Sequence, residues 1–407
     1  MAWNPWRGMG DLPRDVWMLS FVTFINRAGL MALPFLVLYL TKNLGYSATS
    51  AGLTLTLYGL GALASAPFAG KLSDRIGPFL QMKISLLLSG ALLLIFPFAQ
   101  SFIAILGLTL LWAVASEAFR PASLAAIVDI VTPPQRKMAY SLNRLAINLG
   151  MSVGPLAGGF IIMISYPLIF WVDGATSLLA GILLVLTTRH HARHVAHAAS
   201  VGLQAQRFKV LQDKRLLFFL FAIIPVVIVF FQHEGALPLF LVHDIHLPES
   251  AYGILFTVNT LLIVIFEVPL NIAMTHWPHR HALALGAFLI GAGFGATAGV
   301  SGFWSAALAV AIWTFGEMVF LPGAVAYMAE VAPEERRGEY MGMYQMTFSL
   351  GFTLSGWLGT FLLEKLGAIF LWAIMFLAGS LSAAMLWRID RDFEKDSNVL
   401  KIAEDAP

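Results

Sequence analysis

The chain contains no cysteine. That excludes disulfides, thiolate metal sites and a cysteine nucleophile, and it leaves the redox compartment undetermined. Charge is scarce as well. Asp, Glu, Lys and Arg make up 12% of the 407 residues, about half the ~25% of an ordinary soluble domain. The net charge of +2 gives no footprint for nucleic acid. No metal-ligand cluster, phosphate loop or nucleophile constellation stands out, so neither catalysis nor a cofactor is expected. Gly291-x-Gly293 lies inside an apolar run and reads as packing. The first 15 residues lack the apolar core of a secretory signal, and the first long apolar run reads as a retained span.

What the chain has is apolar length. Hydrophobic residues are 58% of it and the mean hydropathy is +0.78. A spanning helix needs ~20 mostly apolar residues. Twelve segments qualify, at roughly 16–41, 49–70, 80–99, 102–130, 138–165, 167–187, 216–243, 250–275, 281–300, 303–331, 339–364 and 367–388. They are numbered here as spans 1 to 12.

The second half repeats the first at an offset of 201 residues: Trp112, Pro121, Arg136, Leu149, Gly150 and Gly158 recur as Trp313, Pro322, Arg337, Leu350, Gly351 and Gly359. Asp129 recurs as Glu330, and Glu117 has a near-counterpart in Glu317. Duplicated membrane halves are a transporter architecture, with the substrate site at the repeat interface. The expected fold is therefore all-α, with twelve transmembrane helices in two pseudo-symmetric six-helix bundles. The expected divisions are an N-terminal bundle at 1–187, a cytoplasmic linker at 188–215, and a C-terminal bundle with its tail at 216–407.

Lys and Arg crowd one side of these spans, from Arg7 and Arg14 through Arg136, Arg189 and Arg207 to Arg336 and Arg337. Only Lys42 and Lys365 fall on the other. By the positive-inside rule both termini are cytoplasmic. The linker is basic. His190, His194 and His197 sit at spacings that share a helix face, although a solvated loop near anionic headgroups is the plainer reading. Trp17, Trp277, Trp304 and Trp387 fall at span ends, as interfacial anchors do.

Between spans 2 and 3 the chain reads Gly70-Lys71-Leu72-Ser73-Asp74-Arg75-Ile76-Gly77. This resembles the loop signature of the major facilitator superfamily. Its glycines suit a tight turn, and Asp74 suits a helix end or an Arg partner. Span 5 carries Gly150-x-x-x-Gly154-Pro155-x-x-Gly158-Gly159, which resembles the antiporter motif of that superfamily's drug–proton exporters. "GEMVFLP" from Gly316, "QHEGALP" from Gln232 and "IVDIVTPPQRK" from Ile127 are similar to stretches of the same exporter group. The resemblance implies the major facilitator fold, and proton and cation handling by acids at the positions of Glu317 and Glu234. It also matches Asp129. On span 5 the chain departs from the group: where an acid is expected it has Asn143, followed by Arg144.

Buried charge selects the remaining candidates. An ionisable side chain at mid-bilayer costs ~2.5–3.5 kcal/mol on insertion scales, so it marks function or a pair. Arg27, Glu117, Arg120, Arg144, Glu234, Glu267 and Glu317 fall inside spans. Glu117 and Arg120 have the spacing of an ion pair on one helix face. Glu317, Glu234, Glu267 and Glu117 are the expected proton-coupling groups, led by Glu317 and Glu234. A raised pKa by desolvation is what such a role needs. Arg27, Asn26, Arg120, Asn143, Arg144, Asn148 and His233 are the expected cavity residues. Gly70, Asp74, Arg75, Gly77, Asp129, Arg136, Glu330, Arg337, Gly154, Pro155 and Gly158 are expected to serve gating. Asp173, near the outer end of span 6, reads as a cap or interface residue.

The leading expectation is a proton-coupled exporter of lipophilic or cationic drug-like compounds, working by alternating access. It would be a monomer in the bacterial inner membrane, with the proton as coupling ion and no other cofactor. The competing expectations are a proton-coupled importer of peptides, sugars or other nutrients, and a non-transporting receptor or scaffold.

Overall fold

The computed structural model describes residues 10, 12–132, 135–188, 212–333 and 336–389. The His-rich linker expectation therefore lies outside the described residues. Among them the structure is helical and contains no strand. Thirteen helices of twelve residues or more follow one another: α1 Arg14–Ala28, α2 Ala48–Ile76, α3 Pro78–Ile95, α4 Phe102–Glu117, α5 Phe119–Ile130, α6 Arg136–Ile164, α7 Pro167–Thr187, α8 Lys214–Phe230, α9 Glu249–Ala273, α10 His279–Ala296, α11 Phe303–Val331, α12 Arg337–Leu366 and α13 Ala368–Trp387. Among the described residues, ten segments are long and apolar enough to cross a membrane. The four tryptophans expected at span ends are all exposed, at 45%, 46%, 83% and 43% in chain order.

The chain forms two compact units. One holds Met1–Ala198 with Pro248–Thr260, and the other Ala199–Leu247 with Leu261–Pro407. The first half of α9 thus belongs to the first unit.

Local chemistry fixes the helix ends. Ser47 and Ser101 cap α2 and α4 by accepting from the amides of Ser50 and Ala104, and Asp213 caps α8 through the amides of Arg215 and Leu216. At the signature loop, Gly77 adopts φ +87° and Pro78 opens α3. The left-handed region favours glycine, and the first helical turn tolerates proline.

Three expected continuous spans are broken. Span 1 stops at Ala28 and resumes as one turn, Leu36–Leu38, and a π-helix, Tyr39–Asn43. Span 7 stops at Phe230 and passes through a 3-10 turn, Phe231–His233, and a short helix, Ala236–Leu239, into a π-helix at Phe240–Asp244. The two π-helices lie 201 residues apart, so the repeat extends into backbone geometry that residue identity does not show.

Span 4 divides between Glu117 and Phe119. Pro121 favours the break, having no N–H and a ring that crowds the carbonyl four residues back. Side chains of neighbouring helices take up nearby carbonyls. Ser65 donates to Val114 O at 3.2 Å, Ser85 to Ala115 O at 2.6 Å, and Gln81 Nε2 to Ala118 O at 3.0 Å. The matching Pro322 leaves α11 continuous, and there Asn271 Nδ2 donates to Met318 O, the carbonyl that Pro322 deprives of its amide, at 3.2 Å.

Candidate functional site

In the first unit, the break in span 1 is held by Asp173 of α7. Its Oδ2 accepts from the amides of Met31 and Ala32 at 3.2 and 3.0 Å. Asp173 is 2% exposed. This is the capping role expected of it, exercised on another helix's broken backbone. One turn along, Asn26 Nδ2 donates to Ser177 Oγ at 3.2 Å. Arg27 is half-buried and has Glu117, Arg120, Tyr58 and Asp173 as its electrostatic neighbours.

The expected Glu117–Arg120 ion pair is not formed among the described residues. Glu117 instead accepts from the Tyr58 hydroxyl at 3.1 Å, and Tyr58 also contacts Ser116 Oγ at 3.0 Å. The physical reason is the break at Ala118. Glu117 ends α4 and Arg120 lies in α5, so the two no longer share one helix face, and Arg120 is exposed. Tyr58 was not singled out from the sequence. A phenol in an apolar span was the available signal. Trp112 packs edge-on against its ring at 5.0 Å.

The span 5 glycines form a seat for α1. A Cβ added at Gly150 would stand 2.5 Å from the Arg27 Cβ, at Gly154 2.6 Å from Leu30 O, and at Gly158 2.8 Å from the Met31 Cβ. Gly159 faces the start of α9 instead, 3.0 Å from the Ser250 Cα on the same measure, and Gly253 faces Pro155 O. Close helix approach through small residues accounts for this motif. Asn143 is buried on α6, Asn148 is half-buried and Arg144 is exposed.

The second unit gathers three expected residues at the break in span 7. His233 Nδ1 lies 2.7 Å from Phe230 O, the carbonyl at the end of α8. Its Nε2 lies 3.6 Å from Glu234 Oε1. Glu317 of α11 is also within electrostatic reach of the imidazole. The ring is enclosed by aromatics: Trp313 stacks at 5.9 Å with an interplanar angle of 22°, Phe231 at 6.1 Å and 24°, and Phe230 tilts against it at 4.8 Å. Phe352 of α12 closes on Phe231 edge-on at 5.0 Å. Gln232 ties the break to α12 through Ser355 O at 3.3 Å. Trp313 entered the sequence reading only as a repeat marker. Glu267 stands apart in sequence from this group, on α9, one turn before Asn271, whose Nδ2 donates to its carbonyl at 2.7 Å.

Of the expected gating residues, Glu330 Oε2 accepts from His279 Nε2 at 2.8 Å at the start of α10. Arg75 and Asp129 are exposed and Arg136 is half-buried. The side chains of Asp74 and Arg337, and the surroundings of Gly70, lie outside what is described.

The family model described as Major Facilitator Superfamily matches residues 17–242 and 233–404. A Na(+), Li(+), K(+)/H(+) antiporter of Planococcus maritimus is 24% identical over 361 residues, which is 81% of this chain and 84% of that protein. Multidrug resistance protein 1 of Bacillus subtilis is 25% identical over 354 residues, 85% of this chain and 89% of the relative. Among solved structures, the nucleoside transporter NupG superposes with a TM-score of 0.78 at 12% identity, covering 94% of this chain and 99% of that one. The relatives are membrane transporters and not enzymes. With a family model matching nearly its whole length, this multi-pass membrane chain belongs to the Major Facilitator Superfamily.

Proposed function

We propose that the protein is a proton-coupled exporter of lipophilic, cationic drug-like compounds. It works by alternating access in the bacterial inner membrane, with twelve spans in two six-helix bundles and both termini cytoplasmic. The observation that carries this reading is the His233–Glu234–Glu317 group in the second unit, set at a helix break against Trp313, Phe230 and Phe231. Acids beside aromatic faces suit a cation that is also greasy. A carboxylate held in low dielectric is suited to bind and release protons. Glu317 and Glu234 carry the coupling proton in this reading. Similarity to a cation/proton antiporter and to a multidrug resistance protein supports it.

The test is counterflow in proteoliposomes with an imposed pH gradient. Glu317→Gln is expected to lose gradient-driven flux while retaining exchange at equal pH. Wild-type flux with unchanged pH dependence in that variant would overturn the assignment.

A second reading, proton-driven import of a nutrient, is favoured by the likeness of fold to a nucleoside transporter. Alkalinisation outside the vesicles on adding substrate identifies import; acidification identifies export.

A further inference from the structure

We infer that the groove between the start of α10 and the end of α13 binds one anionic glycerophospholipid. The lipid phosphate rests on the first turn of α10, and an acyl chain lies between the two helices. The inference goes beyond the exporter reading and does not depend on it.

The groove follows from how the two helices meet. They touch through glycine further along: a Cβ added at Gly291 would stand 2.8 Å from the Gly379 Cα. Towards the start of α10 and the end of α13 the small side chains of Ala284, Ala383 and Ala384 leave space, and Trp277, Phe288 and Trp387 stand round it. The result is a groove of about 710 Å³, a size that suits a small molecule or a lipid chain.

Its two ends differ in chemistry. Trp277 and Trp387 are exposed at the span ends, where indole rings sit level with lipid headgroups. His281 stacks on Trp387 at 4.6 Å with an interplanar angle of 28°, which fixes an imidazole at the mouth. Phe288 lies seven residues further along α10, ~10 Å deeper at 1.5 Å per residue. Between mouth and depth the lining is Ala284, Leu285, Ala383 and Ala384. A polar mouth over an apolar floor has the shape of an amphiphile.

Charge selects among amphiphiles. Helix α10 starts with no side-chain cap and no acidic residue in its first turn. Its first amides and the positive end of its dipole are therefore open to an anion. Arg280 stands in that turn, three residues from Trp277 and four from Ala284, which is the spacing of helix-surface neighbours. Among the described residues its Nε is buried with no hydrogen-bond partner. An N–H left so is costly, and a phosphate oxygen is the acceptor that suits a guanidinium. His276 and His281 line the groove, and among the described residues no acid does. The carboxylate at the start of α10, Glu330, is engaged by His279. A neutral lipid offers this mouth no negative charge, and a free phosphate leaves the apolar floor unfilled. Basic pockets between spanning helices take anionic headgroups on the same grounds.

The experiment is native mass spectrometry of the purified full-length protein. It is titrated with phosphatidylglycerol, with phosphatidylcholine of the same chains, and with glycerophosphoglycerol, the headgroup without chains. The first phosphatidylglycerol is expected to bind about fivefold tighter than the first phosphatidylcholine, or more. Arg280→Gln is expected to abolish that preference. Ala384→Trp, which fills the groove from an exposed position without changing charge, is expected to abolish it too. Equal affinity for the two lipids in the wild-type protein overturns the inference. An unchanged preference in Ala384→Trp places the lipid elsewhere and overturns it as well, and this variant decides the matter if Arg280→Gln does not fold. Displacement of the lipid by the headgroup alone overturns the acyl-chain contact and leaves a phosphate site. None of these results bears on the counterflow test of the exporter reading.

Discussion

Tyr166, in the turn between α6 and α7, donates its hydroxyl to Glu249 Oε1 in the first turn of α9 at 2.7 Å. Within the first unit the bond ties the start of α9 to the turn between α6 and α7, beside the close approach of Gly159 to Ser250 and the edge-on contact of Phe35 with Tyr252 at 5.2 Å. Burial, and then the carboxylate that accepts its proton, push the Tyr166 phenol above the ordinary tyrosine range. A raised folded-state value means the neutral phenol is favoured in the folded protein. Its contribution is thus complete below the ordinary tyrosine pKa, ~10, and lost only as pH rises through the higher folded value. Tyr166→Phe removes the donor at every pH. A half-buried hydrogen bond is worth about 0.5–1.5 kcal/mol, so the population with α9 detached is expected to rise roughly 2- to 10-fold. Spin labels on a cysteine pair introduced on either side of the contact measure this cleanly, because the chain has no cysteine of its own. An unchanged distance distribution would show that Gly159 and Phe35 hold α9 without the hydroxyl.

Asp173 invites a graded test. Asp173→Ala leaves the buried amides of Met31 and Ala32 without an acceptor, at ~1–3 kcal/mol each. Asp173→Asn keeps a carbonyl oxygen in place. Melting of the purified protein followed by tryptophan fluorescence is expected to rank wild type above Asp173→Asn, and Asp173→Ala lowest. Equal losses in both variants would mean that the charge opposite Arg27, and not the cap, sets the stability.

The contrast between these residues and the sequence reading has a physical cause. Apolar length and the misplaced charges are one-dimensional signals, and they located the long helices and marked Asp173 as a cap or interface residue. The breaks at Ala28, Ala118 and Phe230 are not written in any one residue. Pro121 and Pro322 occupy matching positions, yet one helix divides and the other does not. What differs is the company each keeps: Gln81, Ser65 and Ser85 donate to carbonyls around the first, and Asn271 donates to the carbonyl opposite the second. The Glu117–Arg120 pair failed for this reason, since helical spacing predicts a contact only while the helix lasts. His233, Glu234 and Glu317 were each visible as polar intruders. Their convergence depends on the turn at Phe231–His233 and on α11, which no spacing rule joins.

Asn271 and Pro322 can be tested as a pair. Asn271→Leu removes the donor to Met318 O and is expected to cost about 0.5–1.5 kcal/mol. In a Pro322→Ala background residue 322 again has an amide for that carbonyl, and the same substitution is expected to cost less. A double-mutant cycle on thermal or denaturant unfolding measures the coupling. Strict additivity would mean that Asn271 acts through its bond to the Glu267 carbonyl instead.

Gly293 of α10 and Gly299 in the turn after it separate packing from mere flexibility. A Cβ at Gly293 would stand 2.5 Å from the Trp313 amide nitrogen and 2.7 Å from its Cβ, while one at Gly299 would meet nothing within 4 Å. Overpacking a close helix contact costs ~1–3 kcal/mol, against roughly 0.5 kcal/mol or less for a change with no contact. Gly293→Ala is therefore expected to lower the Tm clearly more than Gly299→Ala. It has a second effect that a purely structural site would lack. Backbone displaced at Trp313 moves the ring that stacks on His233 at 5.9 Å. The pH profile of proton–cation exchange is expected to shift in Gly293→Ala and to stay in place in Gly299→Ala. A melting point that falls with no movement of the pH profile would show that α10 supports the bundle without setting the geometry of the imidazole.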